Sequence, residues 1–275
     1  EFKTDTNILI KTITSQYIQN IEFNNSDTLF IKSGMGSGKS TSTVNYIKKN
    51  NISSFLILSC RKTLTYTIYD KLKSENIVVD NYITSTKNSI KLSERLIISP
   101  DSICKLDYPL KKFDFIWIDE GVSFMYYIGN HLCISKNTRP EVLYIIEWLL
   151  KNCNRLLVTD ADLNNNVIQY YMNFRNIMYC NYLNYINLSN KNVYELFDSE
   201  KSILMDLEEK IKNNKNLYIC CDTLSKTKSM YNYIINLDLI KENEILLYNS
   251  ETDTKLEKQM YDVNKFWSKY KIIIV

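Results

Sequence analysis

The residues from Ser33 to Ser40 combine three of the chain's five glycines with a lysine and several hydroxyl side chains. Glycines let a backbone wrap closely around an anion, so that its N–H groups point at a phosphate. The Lys39 ammonium can reach the terminal phosphates of a nucleotide, and the Ser40 hydroxyl can coordinate Mg²⁺. This spacing predicts a nucleotide-binding loop formed by the following residues: Ser33, Gly34, Gly36, Ser37, Gly38, Lys39, Ser40 and Thr41.

Two adjacent carboxylates, Asp119 and Glu120, follow an apolar stretch about eighty residues after the loop. An acid at the carboxyl end of a parallel strand lies in the crevice where ligands bind. We expect Asp119, with Ser40, to hold Mg²⁺, and Glu120 to orient and deprotonate an attacking water. An exposed acidic helix start would also account for the pair taken alone. Together with the loop, the pair predicts nucleotide hydrolysis, with Lys39, Asp119 and Glu120 as the candidate catalytic residues.

Strands and helices that could position these groups alternate along the first part of the chain. Apolar, strand-like runs lie at 28–32, 55–59, 113–119 and 155–159, and helical patterns at 39–49, 62–73 and 140–151. Two shorter β-like runs lie at 77–83 and 96–99, and Pro100 opens a helical turn. Nearly continuous apolar strands that alternate with helices indicate an α/β protein whose parallel sheet is covered on both faces.

The alternation weakens over a polar, Asn-rich stretch from about 173 to 199 and then begins again. Further helices are predicted at 201–212, 223–235 and 254–267, and further strands at 217–221, 245–248 and 271–275. We therefore place a domain boundary near residue 190, which divides the chain into 1–190 and 191–275. Because the sequence ends within an apolar run, we expect a fragment of a longer protein, with its second domain truncated.

Composition and charge exclude several classes of protein. Hydrophobic residues make up 45% of the 275 positions, enough for a sizeable buried core. The net charge of +3 suits a nucleic-acid partner only where basic residues cluster. No run of eighteen apolar residues occurs, so we expect no membrane partner. Seven scattered cysteines and a single histidine argue against a disulfide framework or a zinc site, and indicate reduced thiols in an intracellular compartment.

The order of the motifs resembles that of superfamily 2 helicases. The loop is followed by SCRKT (59–63), SPDS (99–102), DE (119–120) and TDAD (159–162). The residues within these motifs are most similar to those of the origin-of-replication-binding helicases of herpesviruses and large DNA viruses. The resemblance covers about residues 28–165 well and extends more weakly to 218–223 and 246–250. The resemblance implies a RecA-like P-loop NTPase fold, in which residues 191–275 begin a second RecA-like domain.

The resemblance also implies roles for individual residues. Hydroxyls, a guanidinium and helix N-termini can hold a nucleic-acid backbone without reading its sequence. Thr159 and Asp160 would couple the nucleotide to the bound strand. Contacts with the phosphates of that strand are implied for five residues: Arg61, Lys62, Thr63, Ser99 and Ser102.

The function implied by the resemblance is an ATP- and Mg²⁺-dependent helicase or translocase motor of viral replication. Its expected partners are nucleic acid, with DNA favoured over RNA, and other replication proteins, in the host cytoplasm or nucleus. The motif that carries the arginine finger is not in the sequence, so we expect the chain alone to bind ATP and hydrolyse it poorly. Gly121 and Val122 also depart from the Ala-Asp or Ala-His that follow the acidic pair in the best-known relatives.

Two alternatives stay open. One is a P-loop kinase or NTPase that acts on a small molecule, which would leave the 59–63 and 159–162 segments without an explanation. The other is an ATP-binding, nucleic-acid-binding module that does not unwind its partner. Strand-stimulated hydrolysis would separate the helicase reading from both.

Overall fold

The computed structural model describes residues 7–106, 108–130, 134, 138–187, 196–249, 251–252 and 266–275. The chain divides into two compact units, Glu1–Lys191 and Asn192–Val275, which we call unit 1 and unit 2. The prediction that residues 191–275 begin a second RecA-like domain stays a prediction.

Unit 1 is built on a parallel sheet, to which the described residues contribute eight strands. The strands are β1 (Asn7–Thr14), β2 (Thr28–Lys32), β3 (Phe55–Leu58), β4 (Asp80–Asn81), β5 (Arg95–Ile98), β6 (Phe115–Asp119), β7 (Arg155–Asp160) and β8 (Tyr179–Ile186). Their order is β1-β8-β2-β7-β6-β3-β5-β4, and every neighbouring pair is parallel. The segments that follow β2, β6 and β7 therefore leave the sheet at the same edge, where ligands bind in open α/β sheets.

Helices cover both faces of this sheet. They are α1 (Lys39–Lys49), α2 (Lys62–Ser74), α3 (Lys87–Leu92), α4 (Gly121–Gly129), α5 (Arg139–Asn152) and α6 (Asn165–Arg175). One hydrophobic cluster joins the sheet to α1 and α2, and a second joins it to α3, α4, α5 and α6. Neighbouring strand residues enter opposite clusters, which explains why the central strands are apolar throughout. None of the described helices is long and apolar enough to cross a membrane.

The two strands at one side of the sheet were not predicted. β1 precedes the first predicted strand, and β8 lies in the polar stretch where the alternation weakens. β8 nevertheless lies inside the sheet, between β1 and β2. Its Asn181 side chain is buried and donates a hydrogen bond to the carbonyl oxygen of Phe23 at 2.7 Å. A tertiary partner therefore satisfies a residue type that is unfavourable in strands by local preference.

Unit 2 contains α7 (Glu200–Lys212), β9 (Leu217–Ile219), α8 (Leu224–Asn236), β10 (Ile245–Leu247) and β11 (Ile272–Ile274). The three strands form a parallel sheet in the order β10-β11-β9. Side chains of α7 and α8, such as Ile211 and Ile234, pack with Ile272 of the central strand. Most of the predicted helix at 254–267 lies outside the described residues, and Trp267–Lys269 forms a single 3₁₀ turn.

Candidate active site at the carboxyl edge of the first sheet

The glycine-rich loop connects β2 to α1 and folds back on itself. Gly36 and Gly38 have φ angles of +73° and +84°, in the left-handed region that favours glycine. Ser33, the first loop residue, is buried and accepts a hydrogen bond from the Ser37 hydroxyl at 2.8 Å. Its backbone N–H donates to the Asp160 carbonyl oxygen at 3.0 Å. The two ends of the loop are therefore held over the edge of the sheet in a fixed turn.

Lys39 closes the loop from the other side. Its Nζ donates hydrogen bonds to the carbonyl oxygens of Ser33 at 2.7 Å and Gly34 at 3.0 Å. Burial lowers the pKa of Lys39, although nearby acidic side chains oppose this shift. The fold thus gathers four carboxylates around one ammonium, in order of decreasing effect: Asp119, Asp160, Glu120 and Asp162.

The N-terminus of α1 lies next to this lysine. Gly38 precedes the helix and has no side chain with which to cap it, so backbone N–H groups at the helix start remain available to an anion. Ser40 is half-buried, whereas Thr41 is exposed and accepts a hydrogen bond from Lys71 Nζ at 2.7 Å. The predicted nucleotide-binding residues are therefore contiguous along the loop and the first turn of the helix, with Ser33 and Ser37 buried beneath the others.

Asp119 ends β6 and is oriented by the neighbouring strand. It pairs in register with Thr159 of β7, whose hydroxyl donates to Asp119 Oδ1 at 3.1 Å. The Trp117 indole N–H in turn donates to the Thr159 oxygen at 3.0 Å. Asp119 is only 5% exposed, and burial raises its pKa to about 6 against the effect of the Thr159 hydrogen bond. The threonine therefore holds a buried carboxylate in one orientation.

Asp160 connects the glycine-rich loop at 33–40, called the phosphate loop below, to the turn at Glu120 between β6 and α4, called the acidic turn. Its carbonyl oxygen accepts a hydrogen bond from the Ser33 N–H, and its carboxylate accepts from the backbone N–H of Val122 and of Asp162, both at 2.8 Å. The hydrogen bond from Val122 satisfies a backbone donor at the start of α4. One buried aspartate thus joins the phosphate loop, the start of α4 and its own turn.

Gly121 has a packing role that the sequence did not reveal. A Cβ atom at this position would lie 2.3 Å from Val158 Cγ1, far inside contact distance. The Tyr171 hydroxyl also donates to the Gly121 carbonyl oxygen at 2.8 Å. The departure from Ala-Asp or Ala-His after the acidic pair therefore has a steric cause in the β7 side chain beneath it.

Arg61 is the predicted strand-contacting residue that meets the acidic pair. It immediately precedes α2, and its Nε lies 3.2 Å from Glu120 Oε2. Glu120 itself has a φ of +56° and ψ of +62°, a left-handed conformation that is unusual for a residue with a long side chain. The turn at the end of β6 thus aims the glutamate at the start of α2.

The remaining predicted strand contacts differ in exposure. Lys62 and Thr63 are exposed in the first turn of α2. Ser99 is only 2% exposed and its hydroxyl donates to the Asp101 carboxylate, whereas Ser102 is half-buried. The nucleic-acid roles of these residues stay predictions, and the Ser99 hydroxyl would have to leave Asp101 to take part.

The side chains at this edge fit Mg²⁺ and a triphosphate. Ser40 supplies a hydroxyl oxygen and Asp119 a carboxylate oxygen, which are the ligands that Mg²⁺ prefers. Mg²⁺ keeps several waters and is held by one or two protein groups together with substrate phosphates, so two side chains suffice. A buried carboxylate with a raised pKa also gains more from a nearby cation than one that water already stabilises.

The family of the chain follows from its sequence. A family model described as origin of replication binding protein matches residues 6–183, which include every residue of the candidate site. The chain belongs to that family. The origin-binding family assignment and the resemblance to superfamily 2 helicases predicted from the motifs are thereby confirmed.

Two relatives of this chain come from large DNA viruses. A putative replication origin-binding protein of Acanthamoeba polyphaga mimivirus is 28% identical over 264 residues, covering 89% of this chain and 31% of the relative. The replication origin-binding protein of human herpesvirus 6A (strain Uganda-1102) is 23% identical over 274 residues, covering 96% and 33%. The chain therefore spans about a third of the length of these curated relatives.

Among solved structures, the fold is similar to that of the DEAD-box helicase Mss116p bound to ssRNA and AMP-PNP. The TM-score is 0.61 at 16% sequence identity, covering 92% of this chain and 57% of that one. The predicted RecA-like α/β fold is therefore confirmed.

Proposed function

We propose that this origin-binding family chain is the ATP-hydrolysing motor of a viral DNA helicase. The observation that carries the proposal is the meeting of the phosphate loop and the acidic pair at one edge of the sheet, joined by Asp160. A lysine and carboxylates held together in this way supply the groups that phosphoryl transfer to water requires. The motifs that distinguish helicases from other P-loop enzymes support a nucleic acid as the second substrate.

Lys39 would change partners when ATP binds. Its ammonium now donates to two loop carbonyl oxygens, and phosphate oxygens would replace them because a charged acceptor forms the stronger hydrogen bond. Backbone N–H groups of the loop and of the first turn of α1 would bind the same phosphates. The Mg²⁺ ion held by Ser40 and Asp119 would neutralise charge on the β- and γ-phosphates.

Glu120 would orient the attacking water and accept its proton, and Thr159 would keep the neighbouring Asp119 turned toward the metal site. Asp160 would link events at the phosphate loop to the acidic turn, since its hydrogen bonds reach both. These roles need no movement of the strands, because every group lies at a strand end or in the turn that follows it.

DNA is the nucleic acid that we propose, because the two curated relatives are named as replication origin-binding proteins. Its phosphates would contact the surface at the start of α2, where Arg61, Lys62 and Thr63 lie, with Ser99 and Ser102 as further candidates. Other replication proteins are proposed as partners. The cysteines that the structure describes are all free thiols, which supports a reducing, intracellular compartment.

The proposal is tested by ATP binding and ATP turnover of the purified chain, with and without single-stranded DNA. Lys39→Ala should weaken ATP binding at least tenfold, because it removes a charged donor worth about 1.4 kcal/mol or more. Lys48→Ala, at the other end of the same helix, is the matched control and should bind ATP as the wild type does. Glu120→Gln should retain binding and lose turnover.

Three results would contradict parts of the proposal. Equal ATP affinity of the wild type and Lys39→Ala would contradict the proposed binding of ATP at the phosphate loop. ATP turnover that ignores both DNA and RNA would favour a P-loop enzyme acting on a small molecule. Strand-dependent ATP binding without any turnover would favour a binding module.

A further inference from the structure

The ion pair between Arg61 and Glu120 joins two residues with different proposed partners. Arg61 Nε lies 3.2 Å from Glu120 Oε2, and the two side chains are 60% and 28% exposed. Glu120 Oε2 is itself shielded from solvent and accepts no hydrogen bond from any residue that the structure describes. The charge of Arg61, with that of Lys39 farther away, therefore compensates for the burial of this oxygen in the free protein.

In this arrangement Arg61 is paired with one oxygen of the Glu120 carboxylate. The guanidinium lies beside Oε2, in the position from which a water would otherwise donate a hydrogen bond to that oxygen. The same guanidinium is the group best suited to bind a phosphate, through planar paired donors. It also lies at the N-terminus of α2, a 13-residue helix whose dipole favours an anion at that position. Glu120 and a strand phosphate would thus compete for one cation.

We infer that Arg61 is a positioning residue shared between Glu120 and the nucleic-acid backbone, so that a bound strand releases Glu120 for hydrolysis. This inference rests on the proposed function and adds to it the route by which DNA stimulates turnover. Competition for one side chain is reciprocal. If Glu120 and the strand phosphate compete for Arg61, loss of the Glu120 charge should strengthen phosphate binding.

The reciprocity gives a test that needs neither ATP nor turnover. Binding of a fluorescent oligothymidine to the full chain is measured without nucleotide for the wild type and for Glu120→Gln. The variant should bind about fivefold more tightly or better, the lower end of typical coupling between linked sites. A merely structural role for Arg61 would not tighten binding when its partner is neutralised.

Glu75→Gln is the matched control for charge. Glu75 follows the other end of α2 and pairs with Lys48 at 2.7 Å. Its substitution therefore removes one negative charge and one ion pair at a site away from the acidic turn. It should change the affinity less than twofold. The gain from Glu120→Gln should also disappear in an Arg61→Ala background, or in Arg61→Gln if the alanine variant does not fold.

Three outcomes would overturn the inference while DNA binding itself persists. They are an unchanged affinity in Glu120→Gln, an equal gain in Glu75→Gln, and a gain that survives the loss of Arg61. A wild-type chain that binds no oligonucleotide would instead contradict the nucleic-acid part of the proposed function, and the inference with it. Failure of the inference alone and failure of both are thus distinguishable.

Discussion

Units 1 and 2 share a βα arrangement but hold their charged residues differently. In unit 1 the side chain of Arg175 is 3% exposed, and Asp119 and Asp160 are also buried. In unit 2 both members of every described ion pair keep a solvent-exposed side-chain fraction, and Lys226 and Asp222 are each 67% exposed. Burying a charge is costly unless partners compensate for it. In unit 1, buried polar groups hold loops in place through hydrogen bonds. In unit 2, the described ion pairs remain in contact with solvent.

The largest effect that would test this contrast is expected for Arg175→Ala. The guanidinium donates to the carbonyl oxygens of Leu150 at 2.6 Å and Cys153 at 3.0 Å, and lies 3.0 Å from Asp27 Oδ2. Its loss leaves buried carbonyls without a donor and opens a cavity. The free energy of unfolding of unit 1 should fall by about 3–5 kcal/mol. Urea unfolding measures the loss, and hydrogen exchange assigns it to unit 1.

Lys226→Ala is the counterpart in unit 2. Because the Lys226–Asp222 pair is exposed on both sides, its removal should lower the unfolding midpoint only slightly. Equal losses in the two variants would contradict the contrast between the units.

The second prediction concerns pH and the Asp119→Asn variant without Mg²⁺ or nucleotide. Burial raises the pKa of Asp119 from 3.8 to about 6. Its favourable contribution to the free energy of unfolding is therefore complete at pH values below the pKa of the unfolded chain, and is lost as the pH rises through about 6. At pH values above about 7 the variant should therefore be the more stable, by up to about 3 kcal/mol. The advantage should disappear toward pH 4 in urea unfolding series.

Asp222 of unit 2 should show the opposite trend. A hydrogen bond from Lys226 lowers the pKa of Asp222, so its contribution is present above the unfolded value and is lost as the pH falls. Asp222→Asn should therefore be slightly destabilising near neutral pH and neutral in acid. A parallel pH dependence of the two variants would show that burial does not separate the two carboxylates.

The smallest of the three effects is expected for Gly121→Ala. The added Cβ would meet Val158 Cγ1 at 2.3 Å, and relieving that overlap should cost about 1–3 kcal/mol of unfolding free energy. Gly129→Ala, at the other end of α4, adds a Cβ with no heavy atom within 4 Å. This control should be neutral or slightly stabilising in thermal unfolding. A destabilised Gly129→Ala variant would point to the helix, not the overlap.

The sequence predicts elements best where hydrophobicity is continuous. β2, β3, β6 and β7 all lie within one or two residues of their predicted bounds, because central strands of a parallel sheet are apolar on both faces. β8 escapes such reasoning. Its buried Asn181 depends on the Phe23 carbonyl, a partner far away in the chain that no local pattern reveals.

The candidate site shows the same division. Local spacing identifies Lys39 and Asp119, because a loop and a strand end each carry their own signature. The groups that orient them come from other segments, as Thr159 does for Asp119. The Arg61–Glu120 pair likewise depends on how two turns face each other across the sheet edge. Such contacts arise from strand order, which periodicity does not specify.

Strand order also governs when this unit can assemble during synthesis. The phosphate-loop strand β2 emerges early from the ribosome, but its two neighbours are β7 and β8, which are among the last strands of the unit to be made. Its loop is in turn fastened by Asp160, at the end of β7. In the nascent chain, the phosphate loop is therefore synthesised before both strands that pair with β2 are available, and the second of them is complete only when Ile186 has left the ribosome. Long-range pairings of this kind form slowly, so the loop reaches its folded position late in the assembly of the unit.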